Sequence, residues 1–163
     1  MAKNRFSESH GILGLVVDGD WNGGFSADSI DMSKYNHACV LIIGDANVTG
    51  NGIITVLAGN TAGSEAAAIS FSYRTSGANV GSASSDVFSA ASTPAASWTT
   101  TAATMASQVN LIEFDAADLN VSGTQYRYAC VTVDATGSNG TVDIVAILSE
   151  PRYSEAIMDT AQA

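Results

Sequence analysis

Along most of this chain apolar and polar residues alternate with a period of two, the signature of strands with one buried face. The pattern is clearest near the C-terminal end. Residues 125–133 and 141–148 both alternate, and the stretch between them holds Gly137, Asn139 and Gly140 and no proline. That arrangement predicts a β-hairpin whose second strand stops at Glu150-Pro151. Residues 35–43 are apolar almost throughout after His37, which suits a strand buried on both faces or at the centre of a sandwich. A Gly- and Asn-rich turn over 44–52 leads into 53–58, and these two runs predict a second hairpin.

The remaining segments extend the same reading. Ile69, Phe71 and Tyr73 fall on one face of a strand over 67–73 with one wet side. Residues 98–105 are Thr-rich and β-prone, residues 108–114 form another strand, and 115–119 suit one helical turn. Residues 18–31, rich in Gly, Asn and Asp, predict a loop after a short apolar run at 12–17. Residues 76–96, mostly Ser, Ala and Gly around Val87 and Phe88, predict a long excursion with one short strand. The total is about eight strands and no amphipathic helix. This predicts an all-β protein, an antiparallel β-sandwich of jelly-roll type. It divides into an N-terminal arm (1–20), the sandwich (21–150) and a C-terminal tail (151–163).

Composition narrows the function classes. The chain has 163 residues and a net charge of −10, with six Lys and Arg against sixteen Asp and Glu. No basic stripe is available to neutralise phosphates, so nucleic acid is not an expected partner. No apolar run approaches the ~20 residues needed to span a bilayer, and no signal-peptide cleavage pattern follows residues 12–17, so no membrane partner is expected either. Charged residues are 13% of the chain, about half the usual quarter. The surface is therefore expected to be small, neutral and hydroxyl-rich. Sequons at Asn47, Asn120 and Asn139 are of the kind that arise by chance in a chain this rich in Ser and Thr. Cys39 and Cys130 each lie within an apolar strand and read as buried free thiols. Their similar flanks suggest neighbouring strands of one sheet.

Candidate chemistry is sparse. Asp18-Gly19-Asp20-Trp21-Asn22-Gly23 reproduces the first half of a calcium loop, but Ser29 stands where the closing Glu belongs; exposed turns use the same residues. Only His10 and His37 could act as a base, with no nucleophile elbow or phosphate loop in the chain, so no catalytic residues, metal ligands or cofactor are assigned. Glu113, Asp115 and Asp118 are close enough in sequence to sit together, as a glycosidase pair would or as solvated acids do. Trp21 and Trp98 lie in or beside loops, with Tyr126, Tyr128 and Tyr153 near the last strands. Their ring faces could stack on sugars, which makes a carbohydrate-binding module the alternative function; rim or core packing uses the same residues. The two ends carry anchoring side chains: Arg5, Phe6 and His10 in the arm, and Arg152, Tyr153, Ile157 and Met158 in the tail. Such tails can be ordered by a partner.

Asn4-Arg5-Phe6-Ser7-Glu8-Ser9-His10, the run Leu111-Ile112-Glu113-Phe114-Asp115 with its continuation to Leu119, residues 126–133, and Ile147-Leu148-Ser149-Glu150-Pro151-Arg152-Tyr153 together resemble auxiliary head proteins of tailed bacteriophages. The resemblance covers the two ends and the last third of the chain. It implies a virion structural protein, not an enzyme, that decorates and cements the capsid by binding the lattice of the major capsid protein. It further implies a homo-oligomer, often a trimer at capsid symmetry axes, made in the host cytoplasm and residing on the capsid surface. In that family the seven arm and tail residues named above would form the capsid or subunit interface. A phage tail or fibre component is the nearest alternative.

Overall fold

A computed structural model describes residues 6–76, 88–135 and 139–152. The elements, in chain order, are α1 (Phe6–Ser9), β1 (Gly11–Asp20), β2 (Phe25–Ser26), β3 (Ile30–Asp31), β4 (Tyr35–Gly44), β5 (Gly52–Gly59), β6 (Ala67–Ala68), β7 (Ser72–Thr75), β8 (Trp98–Thr100), α2 (Ala102–Met105), β9 (Val109–Asp115), a 3-10 turn (Ala116–Leu119), β10 (Asn120–Val121), β11 (Thr124–Gln125), β12 (Tyr128–Ala135) and β13 (Thr141–Pro151).

Two antiparallel sheets pack face to face. The first has the order β1-β13-β4-β9-β7, and the second runs β2-β12-β5-β6, with β3 also on β12 and β8 also on β5. With the short pieces merged, the eight principal strands follow the orders 1-8-3-6 and 2-7-4-5. That is jelly-roll topology, in which most successive strands cross to the opposite sheet, the step from β5 to β6 within the second sheet being the exception. The core lies between the layers. Leu13, Leu15, Val40, Ile42, Ile112, Phe114, Ile144 and Leu148 come from the first sheet and Ile54, Val56, Ala129, Val131 and Val133 from the second. All point inward at every second position, as the pleat requires.

The topology corrects both expected hairpins. β12 pairs with β5, whereas β13 pairs with β1 and β4. Likewise β4 belongs to the first sheet and β5 to the second. Period-two alternation marks which residues face the core, and a strand that arches across the core presents the same alternation as one that folds back beside its predecessor. Cys39 and Cys130 are consequently in opposite sheets instead of one. Cys130 is buried, its thiol donating to the Ala27 carbonyl, while Cys39 is only half-buried on the outside of the first sheet.

Three further differences matter. Residues 11–20 form edge strand β1, with Leu13 and Leu15 in the core, so the body of the protein begins at Gly11 and not after residue 20. Part of the expected 18–31 loop is therefore strand. The segment 67–73 alternates as read, yet it changes sheets midway. Ile69 still donates to Val56 in the second sheet, and Tyr73 already pairs with Ile112 in the first. Tyr73 then stacks on Trp98 of the second sheet with ring centroids 4.6 Å apart, closing that side of the sandwich. The expected turn after Glu113 is present as the 3-10 segment, capped by Asp115 and Asp118. The part of the long excursion spanning 77–87 lies outside the described residues, while Phe88 and Ala95 bridge back to Ser76 and Phe71.

Candidate interaction surface

The sites read from sequence resolve as follows. Trp21 is 0% exposed and Trp98 4% exposed, both in the core, so neither offers a face to a sugar ring. The Asp18–Gly23 motif is a strand end and turn: Asp18 donates its N–H to Asp143 at 2.8 Å, Asp20 accepts from the Asn22 N–H at 2.9 Å, and Trp21 between them is buried. Among the described residues no cluster of three or more His, Cys, Asp or Glu is placed to hold a metal ion.

Glu113, Asp115 and Asp118 do come together. With His37, Ser72, Ala91 and Pro94 they line a shallow cleft of about 390 Å3. Each acid already has a role in the fold. Asp115 lies 2.7 Å from His37 Nδ1, Glu113 accepts from Arg74 at 3.4 Å, and Asp118 accepts the Asp115 N–H at 2.8 Å. These contacts follow from register, since Ser72, Glu113 and Cys39 are consecutive cross-strand partners, and His37 faces Asp115. The result is a charged rail along one margin of the first sheet.

The arm and tail residues divide between described and undescribed positions. Phe6 is 53% exposed on α1, its ring stacked on His10 at 4.0 Å, and His10 Nδ1 lies 3.1 Å from the Phe6 carbonyl. Arg152 is tied down: its N–H donates to the Lys34 carbonyl at 2.9 Å and its Nε to Asn36 Oδ1 at 2.9 Å. Arg5, Tyr153, Ile157 and Met158 lie outside the described residues. The start of β1 and the finish of β13 lie at the same end of the same sheet. Gly11 is registered with Leu148 on the adjacent strand, α1 packs on β13, and Arg152 follows Pro151 directly.

Beneath that exit the body is fastened by an ion pair. Arg127 reaches Asp31 with two nitrogens, at 2.5 and 3.1 Å, and Asp31 also accepts the Ser33 N–H at 2.9 Å. Burial pushes the Asp31 carboxyl up, but the Arg127 and Ser33 hydrogen bonds and the guanidinium charge outweigh it and hold the group at about 2. A pocket of about 240 Å3 beside this pair is lined by Met32, Tyr126, Arg127 and Arg152.

A further surface was not foreseen. On the outer face of the first sheet the residues between the core positions are also apolar: Cys39, Leu41 and Ile43 on β4, Val109 and Leu111 on β9, Val145 and Ile147 on β13. All are half-buried by their neighbours, and Ile12 on β1 joins them at 56% exposure. The apolar run at 38–43 was the available signal. A strand with one wet face carries polar residues at alternate positions, and this one does not. The expectation of burial on both faces is met on one face by the core; on the other face the side chains are half-buried. Compared with protein-family models, with curated proteins and with solved structures, the chain matches none.

Proposed function

We propose that this protein is a virion structural component that binds the lattice of a phage major capsid protein and stabilises the shell. The observation that carries the reading is the common exit of the two chain ends. An N-terminal arm reaching back from Gly11 and a tail continuing from Arg152 leave one end of the sandwich on adjacent strands, so both can engage one underlying surface at once. Paired attachment of this kind raises the effective concentration of the second contact once the first has formed.

Other features support the same reading. A jelly roll is a frequent body for capsid-associated and lectin domains, which is an argument from fold alone. The residues of this chain add to it. The exposed Phe6 on α1 is an anchor of the type that fills a groove, and Arg152 is held in place by Asn36 and Lys34. The net charge of −10 sets the body against nucleic acid and keeps unassembled copies soluble. On this reading Arg5, Phe6 and His10, with Tyr153, Ile157 and Met158, contact the shell.

The test is binding of purified protein to bare capsids, followed by co-sedimentation. Removing residues 2–9 should abolish binding while the body keeps its melting temperature within a few degrees. Undiminished binding by the truncated protein would sink the reading.

A further inference from the structure

We propose that the pocket between the end of β3, the 3-10 turn and the end of β13 is a binding site for a carboxylate carried on a short apolar stem, held by Arg127 and Arg152. The inference is independent of the capsid reading, because it concerns a ligand that the isolated protein takes.

The first support is the placement of positive charge. The chain has six Lys and Arg against a net charge of −10, and four of the six, Lys34, Arg74, Arg127 and Arg152, are among the described residues. Three of these four come to one end of the sandwich. Arg127 and Arg152 line the same pocket, and the Arg152 N–H donates to the Lys34 carbonyl. No carboxylate lines the pocket. Asp31, behind Arg127, is buried and committed to it, so the two guanidiniums and this acid leave one net positive charge. A bound anion responds to that local balance more than to the total, because charges farther away than ~8 Å are largely screened at physiological salt.

The second support is a set of donors that are held in place and unused. Arg127 gives Nε and Nη2 to Asp31, and its guanidinium lies over the Tyr128 ring at 4.9 Å. Arg152 is fixed through its backbone N–H on Lys34 and its Nε on Asn36. Each guanidinium is thus gripped on its Nε side. Arg127 Nη1 and both Nη nitrogens of Arg152 meet no acceptor among the described residues. A guanidinium keeps its charge at every ordinary pH and presents its donors as a rigid fork. A free surface arginine loses rotamer freedom when it binds; here the fold has already removed much of it, which favours binding.

The third support, the walls, selects the anion. Met32 and Ala116 are buried and Tyr126 is half-buried, so the lining away from the arginines is apolar. Gln125 commits its amide NH2 to the Ala116 and Tyr126 carbonyls and adds no donor. The volume of about 240 Å3 is below the ~300 Å3 at which sites for drug-sized molecules begin. It suits a group the size of one side chain. A phosphate would bring up to two charges against one and set a strongly hydrated group beside apolar walls, where desolvation is costly. A carboxylate brings one charge and the planar geometry that a guanidinium fork matches. Its methylene stem would cover Met32 and Tyr126.

The experiment is a nuclear magnetic resonance titration of the isotope-labelled full chain with sodium butyrate, read at the backbone amides of Met32, Tyr126 and Arg127 and at the Nε–H of both arginines. Saturable shifts are expected with a Kd of about 1–20 mM, the range a small ligand with one charged contact reaches. Arg152→Gln should raise the Kd at least about fivefold, as loss of a charge-assisted hydrogen bond does. Arg127→Lys, which leaves Asp31 a charged partner, should also weaken binding. Arg74→Gln, on edge strand β7, should leave it unchanged. Melting temperatures identify any variant that fails to fold, and Arg152→Gln, at an exposed position, keeps the test sound if Arg127→Lys is among them. Butyramide, the uncharged analogue, should give no saturable shift, and inorganic phosphate should bind more weakly than butyrate. N-acetylglutamate N-methylamide offers the same carboxylate on a protein-like side chain. Tighter binding than butyrate identifies the source as an acidic side chain of a protein partner, weaker binding identifies it as a free small acid, and the carboxylate site stands in both cases. Shifts that do not saturate, a folded Arg152→Gln variant that binds as the wild type does, butyramide binding as well as butyrate, or phosphate binding more tightly would each overturn the proposal.

Discussion

The Asp31–Arg127 pair permits a quantitative test. Asp31 is 7% exposed and its carboxylate is held at about 2 against the ordinary 3.8. A tenfold change in a proton-binding constant corresponds to about 1.4 kcal/mol, so the full gap would be about 2.4 kcal/mol. The Arg127 side chain is 52% exposed, and solvent screening reduces the value to about 1–2 kcal/mol. The sign follows from the direction in which the carboxyl is moved. A carboxylate depressed in the folded state contributes its full stabilisation above the unfolded value of 3.8, and that contribution is lost as pH falls through the folded value of about 2. Asp31→Asn keeps the shape and an acceptor for Ser33 but removes the charge. In urea denaturation followed by far-ultraviolet circular dichroism, the variant should be about 1–2 kcal/mol less stable at about pH 7. Most of that difference should have vanished at about pH 2, where wild-type Asp31 is itself about half protonated. A difference of the same size in acid as at neutral pH would refute the electrostatic account and leave packing as the cause.

Three other outcomes follow from the geometry. A side chain at Gly44 would begin 2.1 Å from the Met105 carbonyl oxygen, so Gly44→Ala should cost about 2–3 kcal/mol by forcing α2 away from β4, visible as a drop in melting temperature. Burial raises the Cys130 thiol to about 11 and, with the charge of Glu113, also raises that of Cys39; in native protein Ellman's reagent should titrate Cys39 alone, slowly and faster as pH rises, with Cys130 appearing only in denaturant. Removing the Trp98 ring with Trp98→Ala deletes the stack on Tyr73 that joins the two sheets and should cost about 3–5 kcal/mol, measured by the same urea titration.

The candidate surface was only partly legible in the chain. The arm and tail residues stand out because apolar side chains beyond the last strand have no core to enter, and Phe6 is indeed exposed and Arg152 anchored at the sandwich end. Their common exit was not readable. It depends on β1 and β13 being neighbours although they stand at opposite ends of the chain, as Gly11 and Leu148 show. The aromatic residues misled for the opposite reason. A tryptophan after an Asp-Gly turn looks like a loop residue, yet the Trp21 ring fills the space above Gly52, where a side chain would begin 2.5 Å from it.

The amino-acid sequence by itself determined that this is a β protein and which side chains face inward, because the two-residue period of a strand is a local property and each half-buried strand shows it without reference to its neighbours. It also determined the acidic net charge of −10. Only the tertiary structure decided which strands pair, and so turned two expected hairpins into arches between sheets, separated Cys39 from Cys130, and gathered Ile12, Leu41, Leu111 and Val145 onto one outer face. Pairing is set by which strands can cover the same core in three dimensions, and alternation, identical for an arch and a hairpin, carries no record of that choice.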